Sequence, residues 1–145
     1  VGVAAERFAA VGCEAVIRDF QQRPNGLLGI RVEGVRRFQV EQVQVQADQL
    51  TLADVTWLDE VADAPLLVAH ADLAALLNAL VEHPLVAGLG MGGPVSGQQA
   101  LANQLAYLLP FTVEQKLQAL QLADPTQRLA YIQSLLDQLQ GEMIA

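Results

Sequence analysis

The chain has 145 residues, of which 52% are hydrophobic and 17% are charged, and its formal net charge is −8. This composition argues against intrinsic disorder and predicts one globular domain, or two small subdomains that share a core. Residues 1–60 carry six arginines against nine acids, and residues 61–145 carry two basic residues against seven acids. Neither half is therefore the electrostatic complement of a nucleic acid.

The sequence predicts no disulfide, no transmembrane helix and no signal peptide. Cys13 is the single cysteine, so no internal disulfide can form, and its apolar strand pattern predicts a buried, inert thiol. The sequence contains no run of about 18 apolar residues, so no transmembrane helix is predicted. Residues 1–10 lack the basic and apolar regions of a signal peptide. We therefore expect a cytoplasmic protein without a membrane partner.

Residues 1–60 are predicted to form an antiparallel meander. Alternating apolar residues indicate a first strand over residues 9–20, and Asn25-Gly26 predicts a type I′ hairpin turn, which requires positive φ angles. A long strand stretch over residues 27–46 follows, and residues 50–58 return as a third strand. Two or three such strands are marginally stable by themselves, so helices are expected to cover one face of the sheet.

The pattern within residues 27–46 is irregular. Leu28, Ile30 and Val32 alternate with polar or small residues and predict one buried face. Gly34 is predicted to form a turn or bend, after which even-numbered residues resume the same alternation. From Val43 onward the apolar residues fall on odd positions instead, which strict alternation would send to the other face. The sequence therefore predicts a β-bulge near residues 41–42.

Helices are predicted from Asp63 onward, where the apolar period changes from 2 to 3.6. Pro65 fits the first turn of a helix that runs to about Glu82, before His83-Pro84. The glycine-rich residues 88–97 lack the lysine of a phosphate-binding loop and are predicted to be a connector. Three further helix starts show capping-box spacing, namely Ser96 with Gln99, Thr112 with Gln115, and Asp124 with Gln127. Leucine stripes on these helices predict a compact antiparallel subdomain.

Three motifs carry a resemblance to a known family. They are V-G-C-E-A at residues 11–15, V-E-G-V-R-R-F-Q-V at residues 32–40, and L-A-N-Q-L followed by L-L-P-F at residues 101–105 and 108–111. Their order and spacing resemble the amino-terminal domain of bacterial Lon proteases across residues 11–139. The resemblance implies an α+β fold, with a small antiparallel PUA-like β subdomain over residues 1–60 and about four helices over residues 61–145.

Members of this family begin with further strands, including a proline-rich strand that reads like P-L-F-P-L and a segment that reads like F-E-x-R-Y. Neither is present here, and the sequence does not begin with Met. We therefore expect a fragment, or a chain that has lost those residues, in which part of the sheet lacks its neighbours. An unpaired sheet edge is then expected to support self-association.

The ATPase and Ser-Lys peptidase elements of Lon proteases are not recognisable in this sequence. Lys116 is the single lysine, and no local spacing links it to Ser96 or Ser134 as a catalytic base. His70 and His83 lack the spacing of metal ligands. The sequence therefore predicts no enzyme activity, no cofactor and no metal site.

Two functions remain from the residues and the resemblance. The resemblance implies a non-catalytic domain that recognises unfolded protein or peptide clients. The alternative is a PUA-like RNA-binding module, for which Arg31, Arg36 and Arg37 form a small basic cluster. The acidic charge and the seven aromatic residues favour protein binding and predict no nucleic-acid partner.

The predicted client-contact residues are Trp57, Pro110 and Phe111. They lie at a strand end and an interhelical turn, where we expect the sheet and the helices to meet and an apolar patch to stay open. Burial of Trp57 and Phe111 in the core is the alternative interpretation.

Overall fold

The computed structural model describes residues 8–89, 91 and 95–144. The chain divides into two compact units, Val1–Asp59 and Glu60–Ala145. In its described part, the first unit contains a three-stranded antiparallel sheet and the second contains five α-helices, which confirms the predicted α+β class. Within the described residues, no helix is both long enough and apolar enough to cross a membrane.

The sheet has the strand order β1-β2-β3, with β1 at Val11–Gln22, β2 at Leu28–Val45 and β3 at Thr51–Trp57. The first part of β2 pairs with β1 and the second part pairs with β3. The two pairings meet at Phe38, which is opposite Gly12 on one side and Trp57 on the other. Phe38 therefore lies at the centre of the sheet.

The turn between β1 and β2 differs from the predicted type I′ geometry. Gly26 has a φ of 82°, but no positive φ is found at Asn25. The Asn25 side chain instead accepts a hydrogen bond from the Leu27 backbone N–H at 3.1 Å. This local bond stabilises Asn25 without a left-handed conformation, so only the glycine needs the positive φ.

Extra residues in β2 displace its side chains from strict alternation. Val40 pairs with Val55 and Gln42 with Asp54, so Glu41 is an extra residue, and the bulge predicted near residues 41–42 is confirmed. A second extra residue follows Gly34, because Gly34 pairs with Ala15 whereas Arg37 pairs with Cys13. Each extra residue transfers the side chains beyond it to the opposite face.

Gly34 itself lies inside a continuous β2, so of the predicted turn or bend, the turn is wrong. The irregularity is the bulge that follows it. A Cβ atom at residue 34 would lie 3.1 Å from Cys13 Sγ, closer than most Cβ contacts allow. Close approach to β1 therefore explains the glycine better than a reversal of the chain.

The apolar residues of β2 consequently lie on two faces, and the single buried face predicted for them is wrong. We call one side the arm face, formed by Ile17, Phe20, Leu28, Ile30 and Val32. We call the other side the groove face, formed by Phe38, Val40, Val43, Val45, Val55 and Trp57. The arm-face side chains are 49–65% exposed.

The helical unit contains α1 at Ala71–Val81, α2 at Pro84–Ala87, α3 at Gln98–Leu108, α4 at Val113–Gln121 and α5 at Pro125–Ile144. A 3-10 turn at Val68–His70 precedes α1. The largest fully buried side chains among the described residues come from the predicted leucine stripes of α3 and α5, namely Leu101, Leu105, Leu129 and Ile132. Packing of α3 against α5 therefore forms the core of this unit.

Two of the predicted helix starts are confirmed. Thr112 Oγ1 accepts a hydrogen bond from Gln115 N, and Gln115 Oε1 accepts one from Thr112 N, which completes the predicted capping box of α4. Pro125 is the first residue of α5, and Asp124 Oδ1 accepts a hydrogen bond from Thr126 N at 2.9 Å. Each carboxylate or hydroxyl satisfies a backbone N–H that has no partner within its helix.

Two other predicted starts are wrong, and both corrections involve Asp63. The N-cap of α3 is Gly97 rather than Ser96, and Asp63 Oδ1 accepts a hydrogen bond from Gln99 N at 2.9 Å. A Cβ atom at Gly97 would overlap the Asp63 carboxylate. Pro65 pairs with Gly97 in an isolated antiparallel bridge instead of starting a helix. Because residues 63–65 are extended to cap α3, α1 starts only at Ala71.

Arg128 connects three helices in the interior of this unit. Its side chain is 4% exposed. Nε donates to Ala119 O at 3.0 Å, Nη1 donates to Asn103 Oδ1 at 2.8 Å, and Nη2 donates to Leu122 O. The two carbonyls lie at the C-terminal end of α4, where the helix cannot satisfy all of its own carbonyls. Ala119 O also accepts a hydrogen bond from Leu122 N at 3.3 Å, so Arg128 supplies its second donor. Asn103, from the L-A-N-Q-L motif, therefore has a structural role as a hydrogen-bond acceptor for Arg128.

We predict that Arg128→Met lowers the free energy of unfolding by about 2 kcal/mol, since it removes the guanidinium that donates to Ala119 O, Leu122 O and Asn103 Oδ1 between the three helices. Arg128→Lys should lose less, because one ammonium group can still reach one or two of these acceptors. Urea unfolding followed by far-UV circular dichroism measures both. Gln138→Met, at an exposed position of α5, is the matched control. An Arg128→Met midpoint equal to that of the parent would contradict this role.

Candidate functional site

An apolar groove lies in the sheet unit and has a volume of about 280 Å³. Its walls include residues of all three strands, among them Gly12, Phe38, Val40, Val43, Thr51 and Ala53. Among the described residues that line it, Thr51 alone has a polar side chain. Small-molecule sites generally begin at about 300 Å³, so this groove fits one or two apolar side chains rather than a whole cofactor.

Two local features of the sequence build the groove. The Glu41 bulge places Val43 on the same side of the sheet as Val40. Gly12 lies opposite Phe38, and a Cβ atom at Gly12 would be only 2.5 Å from Phe38 Cζ. The missing side chain therefore allows the phenyl ring to lie across β1, where it forms part of the groove wall.

Trp57 packs beside this wall. Its ring meets the Phe38 ring edge to face, with centroids 5.9 Å apart and an interplanar angle of 89°. Arg36 Cζ lies 3.7 Å from the centroid of the indole ring, and Arg36 Nε lies 3.3 Å from Glu14 Oε1. These contacts fix the orientation of the indole, while 43% of Trp57 stays exposed.

The three residues predicted to contact clients fall in different environments. Trp57 belongs to the sheet unit and is exposed. Pro110 and Phe111 belong to the turn between α3 and α4 in the helical unit, where Pro110 is exposed and Phe111 is only 8% exposed. Phe111 is a member of the helical core together with Leu105 and Leu109. Its burial matches the core interpretation that the sequence left open.

Sequence reasoning did not identify Gly12, Phe38, Val40 or Val43 as parts of a site. The change of apolar parity before Val43 was the available signal, since it located the bulge that brings Val43 beside Val40. The contribution of Gly12 depends on the register between β1 and β2, which a single sequence does not specify.

The predicted basic cluster does not form a single surface. Arg36 contacts Glu14 and Trp57, and Arg37 is only 6% exposed. Arg31 lies opposite Asp19 in the pairing of β1 and β2. The three arginines therefore lie in different environments: Arg36 contacts a ring and a carboxylate, Arg37 is buried, and Arg31 is opposite an acidic residue.

Cys13 is exposed, so the buried thiol predicted from its apolar neighbours is wrong. Its strand pairs on one side with β2, and its side chain projects on the arm side of the sheet, opposite Arg37. Across the described ranges, no group of three or more His, Cys, Asp or Glu side chains is arranged to hold a metal ion.

Comparison with known proteins gives a consistent family assignment. No protein with a curated description matches the chain. The crystal structure of a Lon N-terminal domain protein from Xanthomonas campestris is 31% identical, with a TM-score of 0.69, over 87% of this chain and 68% of that chain. The N-terminal domain of a Mycobacterium avium complex Lon protease shares the fold at 24% identity and a TM-score of 0.58, over 88% and 70% of the two chains.

A family model described as the substrate-binding domain of the ATP-dependent protease La (LON) matches residues 3–138, which is nearly the whole chain. The match includes the sheet that forms the groove and the helices that contain Asn103 and Arg128. The chain therefore belongs to the family of Lon protease substrate-binding domains.

Proposed function

We propose that this chain is a non-catalytic domain that binds apolar side chains of unfolded protein in the groove of its sheet. The observation that carries the proposal is the apolar groove beside the exposed, oriented Trp57. Unfolded chains display apolar side chains that folded proteins bury, and a groove for one or two of them accepts many sequences. The two similar structures come from bacteria, which supports a bacterial origin for this chain, and we propose that it acts in the cytoplasm.

The edge of the sheet offers a way to hold the client backbone. Within the described residues, β3 pairs only with β2, so its outer edge has backbone groups available for a further strand. An extended client beside β3 would place alternate side chains on the groove face, where Ala53, Val55 and Trp57 lie. Backbone hydrogen bonds would then supply affinity independent of sequence, and the groove would select apolar residues.

Pro110 and Phe111 enter this proposal with different roles. Pro110 is exposed and can contact a client directly. Phe111 is buried, so it would act by holding the turn that presents Pro110 rather than by touching the client. The helical unit would thus supply a second, smaller contact of its own.

RNA binding is less well supported by the contacts of the arginines. A single-strand RNA site combines a basic surface with exposed aromatic rings on which bases stack. Trp57, an exposed ring of the sheet unit, already has Arg36 over one face, and the Arg36 guanidinium also pairs with Glu14. With a net charge of −8, the chain would repel phosphate at long range.

We predict that Val43→Ser weakens binding of a reduced, carboxymethylated unfolded protein about fivefold, because it replaces an apolar wall of the groove with a hydroxyl. Val43 is 40% exposed, so the fold should persist. Trp57 is the single tryptophan and packs against Phe38 of the groove wall, so its fluorescence should change when a tryptophan-free client occupies the groove.

Val45→Ser is the matched control for this experiment. Val45 lies on the same face of the same strand and is 48% exposed, but it does not line the groove. The control should bind the unfolded protein as the parent does. Equal losses in the two variants, or no loss in Val43→Ser, would contradict the assignment of the groove.

We also predict that the purified chain hydrolyses neither ATP nor unfolded protein. Lys116 Nζ donates to Tyr107 O at 3.1 Å, and Ser134 Oγ donates to Tyr131 O at 2.7 Å, so each is bound to a backbone carbonyl rather than to the other. A nucleophilic serine needs a base within hydrogen-bond reach. Hydrolysis that co-elutes with the chain and is lost in Lys116→Ala would overturn this prediction.

A further inference from the structure

The hairpin formed by residues 17–33, which we call the arm, has one apolar and one polar face. Ile17 pairs with Val32, Phe20 with Ile30, and Gln22 with Leu28, which places five large apolar side chains on the arm face. The other face carries Asp19 opposite Arg31, and Arg18 Nε contacts Glu33 Oε2 at 2.9 Å. On the polar face, Arg18 and Glu33 thus form an ion pair with each other. On the apolar face, the five side chains are 49–65% exposed.

The exposed apolar area of the arm is comparable with that of a protein interface. Five large apolar side chains, each about half exposed, present on the order of 500 Å² of apolar surface. A stable interface buries roughly 800 Å² on each partner, of which about 60% is apolar, or roughly 500 Å². The arm face alone therefore supplies about the apolar contribution that one side of a dimer needs.

The charge of the arm favours a second copy of the chain as the partner. Residues 17–33 contain three arginines and two acids, a net charge of +1, whereas the whole chain has a net charge of −8. Two acidic chains repel each other least where the local charge is not negative. The local charge of the arm is not negative, and the exposed apolar side chains of the arm face lie on this same hairpin.

The contacts at Phe20 favour packing of faces over pairing of strand edges. Asp19 Oδ1 accepts a hydrogen bond from Phe20 N at 2.9 Å, so a backbone donor in the middle of the arm is already satisfied by a side chain. A strand that paired with this edge would have to displace the carboxylate. Packing of one arm face on another requires no such change.

We propose that the arm face is a homodimer interface, in which the same face of two chains packs together about a twofold axis. Such an interface is isologous, so Ile30, near the centre of the face, would lie close to the twofold axis of the dimer. Sheets that pack face to face lie about 10 Å apart, which large apolar side chains on both surfaces can fill. The groove is on the opposite side of β2 and would stay open in this dimer.

Sedimentation equilibrium of the 145-residue chain, up to high micromolar concentration, tests the proposal. The parent should form a dimer, and Ile30→Asp should weaken dimerisation at least roughly a hundredfold, since it places two carboxylates in the apolar interface. Gln21→Asp introduces the same charge on the polar face of the arm and should dimerise as the parent does. Far-UV circular dichroism verifies that each variant is folded.

Leu28→Ser provides a second test near the tip of the arm, where the side chain is 65% exposed and its replacement is tolerated most easily. It should weaken dimerisation without unfolding the sheet. A parent that stays monomeric, or an Ile30→Asp variant that dimerises like the parent, overturns the proposal. So does a monomeric parent whose binding of unfolded protein is lost in Ile30→Asp, because the arm would then be a client surface.

Discussion

The two extra residues in β2 are the constraint on which the rest of the sheet depends. Side chains alternate strictly along a strand, so each extra residue exchanges the two faces for everything beyond it. The bulge after Gly34 moves Phe38 and Val40 to the side opposite Ile30, and the bulge at Glu41 then keeps Val43 on the side of Phe38. One strand thereby carries two apolar surfaces that face in opposite directions. Without the first bulge, these residues would form one continuous apolar face, with no separate groove.

Most of the buried core and the apolar groove belong to different units of the chain. Of the described hydrophobic side chains that are buried, Val11 belongs to the sheet and all others belong to the helical unit. The helical unit also contains the polar contacts that fix its geometry, Asp63 at the start of α3 and Arg128 between three helices. The sheet leaves much of its apolar surface exposed, as a surface that binds partners must. Membership of a family of substrate-binding domains agrees with this division.

The sequence predicts a feature well when residues close together in the chain determine it, and poorly when residues far apart do. The Glu41 bulge was predictable because the apolar residues change from even to odd positions there, whereas the bulge after Gly34 leaves them on even positions on both sides and gives no such signal. The capping box of Thr112 is local and was found. The cap of α3 comes from Asp63, 36 residues before its partner Gln99, so the local Ser96 spacing was misleading. The groove depends on Gly12 facing Phe38, a register that no local pattern specifies.

Cross-strand nuclear Overhauser effects in the isotope-labelled chain test directly whether β2 carries a bulge between Gly34 and Phe38. We expect backbone contacts that pair Gly34 with Ala15 and Phe38 with Gly12. A regular ladder that starts from the same Gly34–Ala15 pair would instead place Phe38 opposite Val11, since each step along β2 would then match one step along β1. Contacts of Phe38 with Val11 in place of Gly12 would contradict the account and return the apolar residues of β2 to a single face.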